Sequence, residues 1–257
     1  MPTEAEIKRA KDYLLLRLKA ERIAVSSIDS ALLSAAKRII AISRKYNIPP
    51  EDFRFSANPK LQAEVRAVLT LLRDALYERV KNLDTFEDDD KTFVAPILTD
   101  RDHGKTFRQR LAEYVNHWGY ELEATIAGAE LSGVSNPNAI LAGVYDYLDA
   151  PYDNPWITEH QKEGKATRLN GVPHFGRGKA IASRMALATL VSTVVVKGWM
   201  QNWSRINTGK RGYYVYRGSS YPCEICDAQV GFLHDISDTE GLPPQHNHCV
   251  CFCVYVD

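Results

Sequence analysis

The chain has 257 residues, 45% of them hydrophobic and 25% charged, and its 32 basic and 32 acidic side chains balance to a formal charge of zero. These are the proportions of a soluble globular protein, long enough to bury a core as one large domain or two modest ones. The longest apolar stretch, Met185 to Val196, is too short for a membrane span, and the opening MPTEAEIKRAKDY lacks the apolar region of a signal peptide, so reducing cytoplasm is the expected compartment.

Helices are expected through the first third. Thr3-x-x-Glu6 is a capping box before Ile7, Ala10, Tyr13, Leu14 and Leu18, which recur at helical spacing. A second helix is predicted from about Ser27, carrying Ile28, Leu32, Ala35, Ile39 and Ile42, and ending before Asn47-Ile-Pro-Pro50. Asn58-Pro59 is an N-cap and first-turn pair for a third, with Leu61, Val65, Val68, Leu72 and Leu76 on its apolar face to about Val80. The acidic stretch Asp84 to Asp90 breaks the pattern and sets the expected boundary between a helical region, 1–90, and a second region, 91–257.

Beyond it, Lys105 to Leu131 is predicted as one long helix with Phe107, Leu111, Tyr114, Trp118 and Leu122 in a stripe. Ser135-Asn-Pro-Asn138 caps a shorter helix, Ala139 to Leu148, and residues 151–177 are loop-like. Ile181 to Trp203 is apolar nearly all round, which predicts a buried helix; Thr193-Val-Val-Val196 offers a strand as the competing reading. Tyr213 to Arg217 and Phe252 to Val256 are β-like and flank the remaining signal. The expected fold is therefore α+β and mainly α, with a small β module at 206–257.

That remaining signal is the cysteine distribution. All five cysteines lie between Cys223 and Cys253, as Cys223-x2-Cys226 and then His246-Asn-His248-Cys249-x-Cys251-x-Cys253. Thiols used only for packing would scatter; thiols and imidazoles gathered at pair spacing predict one zinc site closed by four ligands. Cys223, Cys226, His246 and Cys251 are the first choice, with Cys249 able to replace Cys251 and His248 competing. On an extended strand Cys249, Cys251 and Cys253 share one face. An odd number of cysteines fits a complete disulfide set poorly.

A charge asymmetry lies just upstream. From Gly164 to Cys223 there are ten basic residues and no acid, where average composition would place about seven acids. The segment predicts contact with a polyanion through Arg177, Lys179, Arg184, Lys197, Lys210 and Arg211, with internal pairing to the Asp84–Asp90 run as the opposing view. Trp199, Trp203, Tyr213, Tyr214 and Tyr216 could stack on bases, although tryptophans four apart on a buried helix read first as core.

Enzymatic readings of the same residues fail. Pro222-Cys223-Glu-Ile-Cys226 is half of the zinc-deaminase signature, and the required His-x-Glu is absent from the sequence. Gln245-His-Asn-His248 spells a nuclease-like string but sits among cysteines that would hold a metal inertly. Gly176-Arg-Gly-Lys179 lacks the first glycine and the final hydroxyl residue of a phosphate-binding loop.

The order of a basic glycine-containing stretch (His174 to Lys179), a long helix with Arg184 near its start, an aromatic strand, Cys-x2-Cys, Gly231 and Leu242-Pro-Pro-Gln-His246-Asn-His-Cys249-Val-Cys251 resembles the Mu gpF-like family of phage minor head, or head morphogenesis, proteins, in its Bacteroidetes phage and prophage branch. Thr99-Asp-Arg-Asp-His-Gly-Lys-Thr and Ser135-Asn-Pro-Asn138 are similar to that branch too, so the resemblance covers roughly residues 99–257. Two positions depart: the family's Arg-Thr-Glu is Ala188-Thr189-Leu190, and the proline after the first tail histidine is Asn247. The resemblance implies a structural, non-enzymatic virion protein assembled in the host cytoplasm. Its implied partners are the portal protein, the scaffold or major capsid protein, and packaged DNA. The alternative is a toxin or nucleic-acid-processing enzyme built on the same zinc module.

Overall fold

The computed structural model describes residues 1–48, 53–55, 57–82, 97–102, 104–131, 133–134, 136–149, 183–245 and 249–257. Within them the protein is mainly helical with a small antiparallel sheet. The expected boundary at Asp84–Asp90 and the loop-like 151–177 lie outside the described residues.

Helix α1 runs from Glu4 to Lys45 without interruption. The capping box is made: the Thr3 N–H and hydroxyl donate to the Glu6 carboxylate at 2.8 and 2.9 Å, and the Glu6 N–H donates back to the Thr3 hydroxyl. The two helices expected here are one because nothing between them stops a helix. No glycine or proline occurs in the span, and serine costs only about 0.5 kcal/mol against alanine. The buried stripe Ala10, Leu14, Arg17, Ala24, Ile28, Leu32, Ala35, Ile39 also keeps its phase through Ser26 and Ser27, so no re-aimed second helix is required.

Helix α2 (Pro59–Lys81) starts where expected, with the Asn58 carboxamide oxygen accepting from the Lys60 N–H at 3.1 Å. Two short strands, β1 (Arg101–Asp102) and β2 (Lys105–Thr106), pair antiparallel and precede α3 (Phe107–Leu131). The stripe on α3 runs through Val115, which is buried, rather than the half-exposed Tyr114. Helix α4 (Pro137–Asp149) is capped by Asn136, whose side-chain oxygen accepts from the Asn138 N–H. Helix α5 (Ser183–Ile206) carries Thr193 to Val196 as helix, not strand, and buries Leu187, Leu190, Val191, Val194, Val195, Trp199 and Trp203. An all-round apolar segment of this length meets its backbone hydrogen bonds within itself, which decides against the strand.

Strand β3 (Gly212–Tyr216) is the centre of a three-stranded sheet. It pairs with β4 (Leu233–Asp235) through Tyr213 opposite His234, and with β5 (Phe252–Val256) through Tyr213 opposite Tyr255. A one-turn helix, α6 (Glu224–Asp227), lies between β3 and β4.

The chain forms two compact units, and each draws on both sides of residue 90. The cysteine-bearing unit comprises Met1–Val25, Arg79–Phe107 and Thr189–Asp257. Its core joins the start of α1, the end of α5 and the sheet: Tyr13 stacks on Trp203 at 4.3 Å, and the Trp203 indole N–H donates to the Cys253 carbonyl at 2.9 Å. The two tryptophans are thus core, not a stacking platform.

The helical unit comprises Ser26–Glu78 and Arg108–Ala188. In it α2 and α3 approach closely at Gly119, where a Cβ would lie 2.8 Å from a Leu69 methyl. The Glu121 carboxylate accepts from the Ser183 N–H at 3.0 Å, from the Ser183 hydroxyl at 3.0 Å and from the Tyr147 hydroxyl. These bonds oppose, but do not overcome, the burial that pushes this carboxyl up to about 7.

Candidate metal centre

Residues 223–227 turn tightly because their backbone bonds are local. Cys223 is extended (φ −150°, ψ 103°) and caps α6, the Asp227 N–H returns to the Cys223 carbonyl at 2.8 Å, and the Gln229 N–H reaches the Cys226 carbonyl at 3.0 Å. Asp227 is held in turn by Arg217, one residue beyond β3. The turn therefore faces Cys226 inward at the end of the sheet, where it is 2% exposed.

The second half arrives through the 235–245 loop, and His234 organises that loop. Buried and stacked 4.8 Å from the Tyr213 ring, it meets the Asp238 carboxylate through Nδ1 and the Gln229 carbonyl through Nε2, both at 2.8 Å. The His234 contact, with the Gly241 and Glu240 N–H groups, holds the Asp238 carboxyl below the usual range. Gly241 is required here, since a Cβ would lie 2.5 Å from His234 Nδ1. Gln245 donates to the Gly241 carbonyl at 2.9 Å, and its own N–H faces the Cys249 sulfur.

Cys226, Cys249 and Cys251 converge, all buried, with their sulfurs within 4.8 Å of one another. The Cys226 and Cys249 sulfurs are 3.7 Å apart. A disulfide would bring them to about 2.05 Å. Two ligands on a tetrahedral zinc with bonds of ~2.3 Å stand about 3.8 Å apart, which is the observed spacing. All five cysteines are free thiols. Cys223 is half-buried beside Cys226 but outside the three-sulfur group. His246 and His248 lie outside the described residues. Cys253 shares the strand face of Cys251, but two residues of strand carry it about 6.6 Å further along. It is fully buried in β5 opposite Val215.

The electrostatics favour a cation. The Cys249 sulfur accepts from the Cys251 thiol, from two backbone N–H groups and from Cys226, which draw it down to about 5. Burial pushes Cys226 up to about 12, and the hydrogen bond Cys251 gives to Cys249, together with burial, pushes Cys251 up. One thiolate thus forms readily and opposes the next two. A divalent cation reverses that opposition, because each further thiolate then gains a bond. Three buried soft donors at this spacing lie close enough to hold a metal ion and fit zinc, for which a closed site takes four ligands.

Arg17 was not singled out from sequence, although a charged residue on the stripe of Ala10 and Leu14 was a signal available there. It is 1% exposed and donates to the carbonyls of Cys249 at 3.0 Å and Cys251 at 3.4 Å.

The basic segment is described only from residue 183 onward. Arg177 and Lys179 lie outside the described residues. Arg184 is committed to Asp29 through two bonds of 2.8 Å, and Lys210 pairs with Asp257 at 2.8 Å. Lys197 and Arg211 are exposed. The Asp84–Asp90 run, to which the internal-pairing reading assigns these charges, lies outside the described residues. Among the described residues no helix is long and apolar enough to cross a membrane.

Comparison with known proteins found no matching family model, no matching curated protein and no matching solved structure.

Proposed function

We propose that the protein is a structural minor head protein of a tailed bacteriophage or prophage, acting in the virion at the portal or capsid during head morphogenesis. The reading is carried by the donor set: buried, sulfur-rich sites of this kind close around zinc to hold a fold rather than leaving a position open for substrate. It is supported by the tail order that resembles the Mu gpF-like family, with Arg184 on α5, the aromatic residues on β3 and the cysteines on α6 and before β5. In this reading zinc on Cys226, Cys249 and Cys251, with Cys223 or His246 as the fourth ligand, fastens the tail to the sheet. The module is then a rigid docking element, and the role is not enzymatic.

Portal protein is the first expected partner, with scaffold or capsid protein beside it. Co-expression with the portal protein encoded in the same gene cluster should give a complex that co-elutes on size exclusion. Two separate peaks, together with turnover of a nucleic-acid substrate that is lost in His246→Ala with the fold intact, would move the protein to the enzyme class.

Packaged DNA is the second expected partner. The exposed Lys197 and Arg211 are the residues expected to meet it, together with Arg177 and Lys179 of the same basic segment. Binding to duplex DNA should be weak, independent of sequence and steeply weakened by salt. Lys197→Gln with Arg211→Gln should flatten the salt slope by about two units on a logarithmic scale, and an unchanged slope would remove these residues from the interface.

A further inference from the structure

Within the cysteine-bearing unit the Arg17 guanidinium is a buried cation whose charge is costly to withdraw from water. It sits on α1 between Leu14 and Ala20, is 1% exposed, and its Nε has no hydrogen-bond partner among the described residues. A cation withdrawn from water needs a compensating negative charge close by, or its burial is strongly unfavourable. Among the described residues the carboxylate that acts on it is Glu21, one turn along the same helix, which already accepts from the Ser192 hydroxyl. The other partners are on the ligand segment: the terminal guanidinium nitrogens donate to the carbonyls of Cys249 and Cys251, the two residues whose sulfurs meet Cys226. Three thiolates around a divalent cation leave one net negative charge, and a fourth thiolate leaves two. Arg17 stands where that excess would be.

We propose that Arg17 is the fixed counter-charge and positioning residue of the metal centre, so that metal loading of the tail and docking of the first helix segment are one event. The inference rests on the zinc reading above. It adds a consequence that reading does not contain: the packing of residues 4–25, through Tyr13 and Leu14 among others, is tightened by the charge of the centre and loosened when that charge is lost. Two geometric features support it. The guanidinium spans two carbonyls two residues apart, so it fixes how the segment carrying Cys249 and Cys251 approaches. It also comes from a distant part of the chain, 232 positions before Cys249, so the centre reports on the closure of the whole unit.

The test uses the full chain and zinc itself. Zinc affinity would be measured by competition with a chromophoric chelator for the parent, Arg17→Met, Arg17→Lys and Leu14→Ala. Leu14 belongs to the same core but carries no charge, so its truncation controls for lost packing. Arg17→Met should bind zinc about 10–100-fold more weakly, the range for removing an outer-shell partner of a metal ligand. Arg17→Lys should recover part of that loss, and Leu14→Ala should stay within about threefold of the parent. In parallel, chelation of the parent should open Arg9, Lys11 and Arg22 on α1 to trypsin.

A parent that binds no zinc would overturn the zinc reading and this inference with it. A parent that binds zinc, with Arg17→Met equal to it or with Leu14→Ala equally weakened, would overturn this inference alone. If Arg17→Met does not fold, the Arg17→Lys affinity and the trypsin pattern decide: unchanged affinity with α1 still protected after chelation refutes the coupling.

Discussion

Cys226→Ser or Cys249→Ser should abolish zinc binding and unfold the cysteine-bearing unit, while the helical unit keeps its transition. The parent should carry about one zinc per chain by ICP-MS when purified without added metal, and either variant roughly none. In the zinc reading the effect is large because the metal closes a small sheet; apparent zinc binding energies in comparable modules reach roughly 10–16 kcal/mol. The internal control is Cys253→Ser. Its sulfur is buried but outside the cluster, so it should retain zinc and lose only about 1–3 kcal/mol, the cost of burying an unpaired hydroxyl. Near-UV circular dichroism reports Trp199, Trp203 and Tyr213, which all belong to this unit. Full zinc occupancy in Cys226→Ser would show that the three sulfurs are not its ligands.

The helical unit should become less stable as pH rises through neutrality. Glu121 titrates near 4.5 when exposed, whereas in the fold burial raises it to about 7. The folded state therefore holds this proton more tightly than the unfolded chain does. That contribution is fully present below about pH 4.5 and is lost as pH passes 7. A shift of about 2.5 units corresponds to roughly 3 kcal/mol, from 1.36 kcal/mol for each unit. Glu121→Gln keeps a carbonyl oxygen to accept from Ser183 and cannot ionise, so its stability should be flatter between pH 5 and 8 than that of the parent. Superimposable pH profiles for the two proteins would remove Glu121 from the pH response.

The contrast between these two sites shows what sequence could reveal. The cysteine cluster was legible because metal ligation demands particular side chains at short spacing, and Cys-x2-Cys with Cys-x-Cys satisfies that locally. Which sulfurs meet was not legible: Cys249, Cys251 and Cys253 alternate identically, and only the entry point of β5 beside α6 separates them. Helix starts at Thr3, Asn58 and Asn136 were readable from caps. The junction at Ser26–Ser27 was not, because a serine pair is equally compatible with a cap and with the interior of a helix whose apolar stripe stays in phase. Glu121, His234 and Arg17 share a reason for escaping notice. Each draws its meaning from partners brought in by other elements, Ser183, Tyr213 and Cys249 among them, and no local pattern encodes those meetings.

The division of α1 between two units has a consequence for how the chain is made. The helical unit is complete once residue 188 has been synthesised, so the half of α1 from Ser26 onward can fold with its partners early. The half before it can meet Trp199 and Trp203 of α5 next, but Arg17 must wait for residues 249–251, which follow it by about 230 residues, or roughly ten to fifty seconds of synthesis at ordinary rates. During that interval the Arg17 guanidinium lacks the two carbonyls it donates to in the folded unit. The Arg17 face of α1 is thus closed late, and a chaperone or an assembly partner would meet it before the 249–251 segment does.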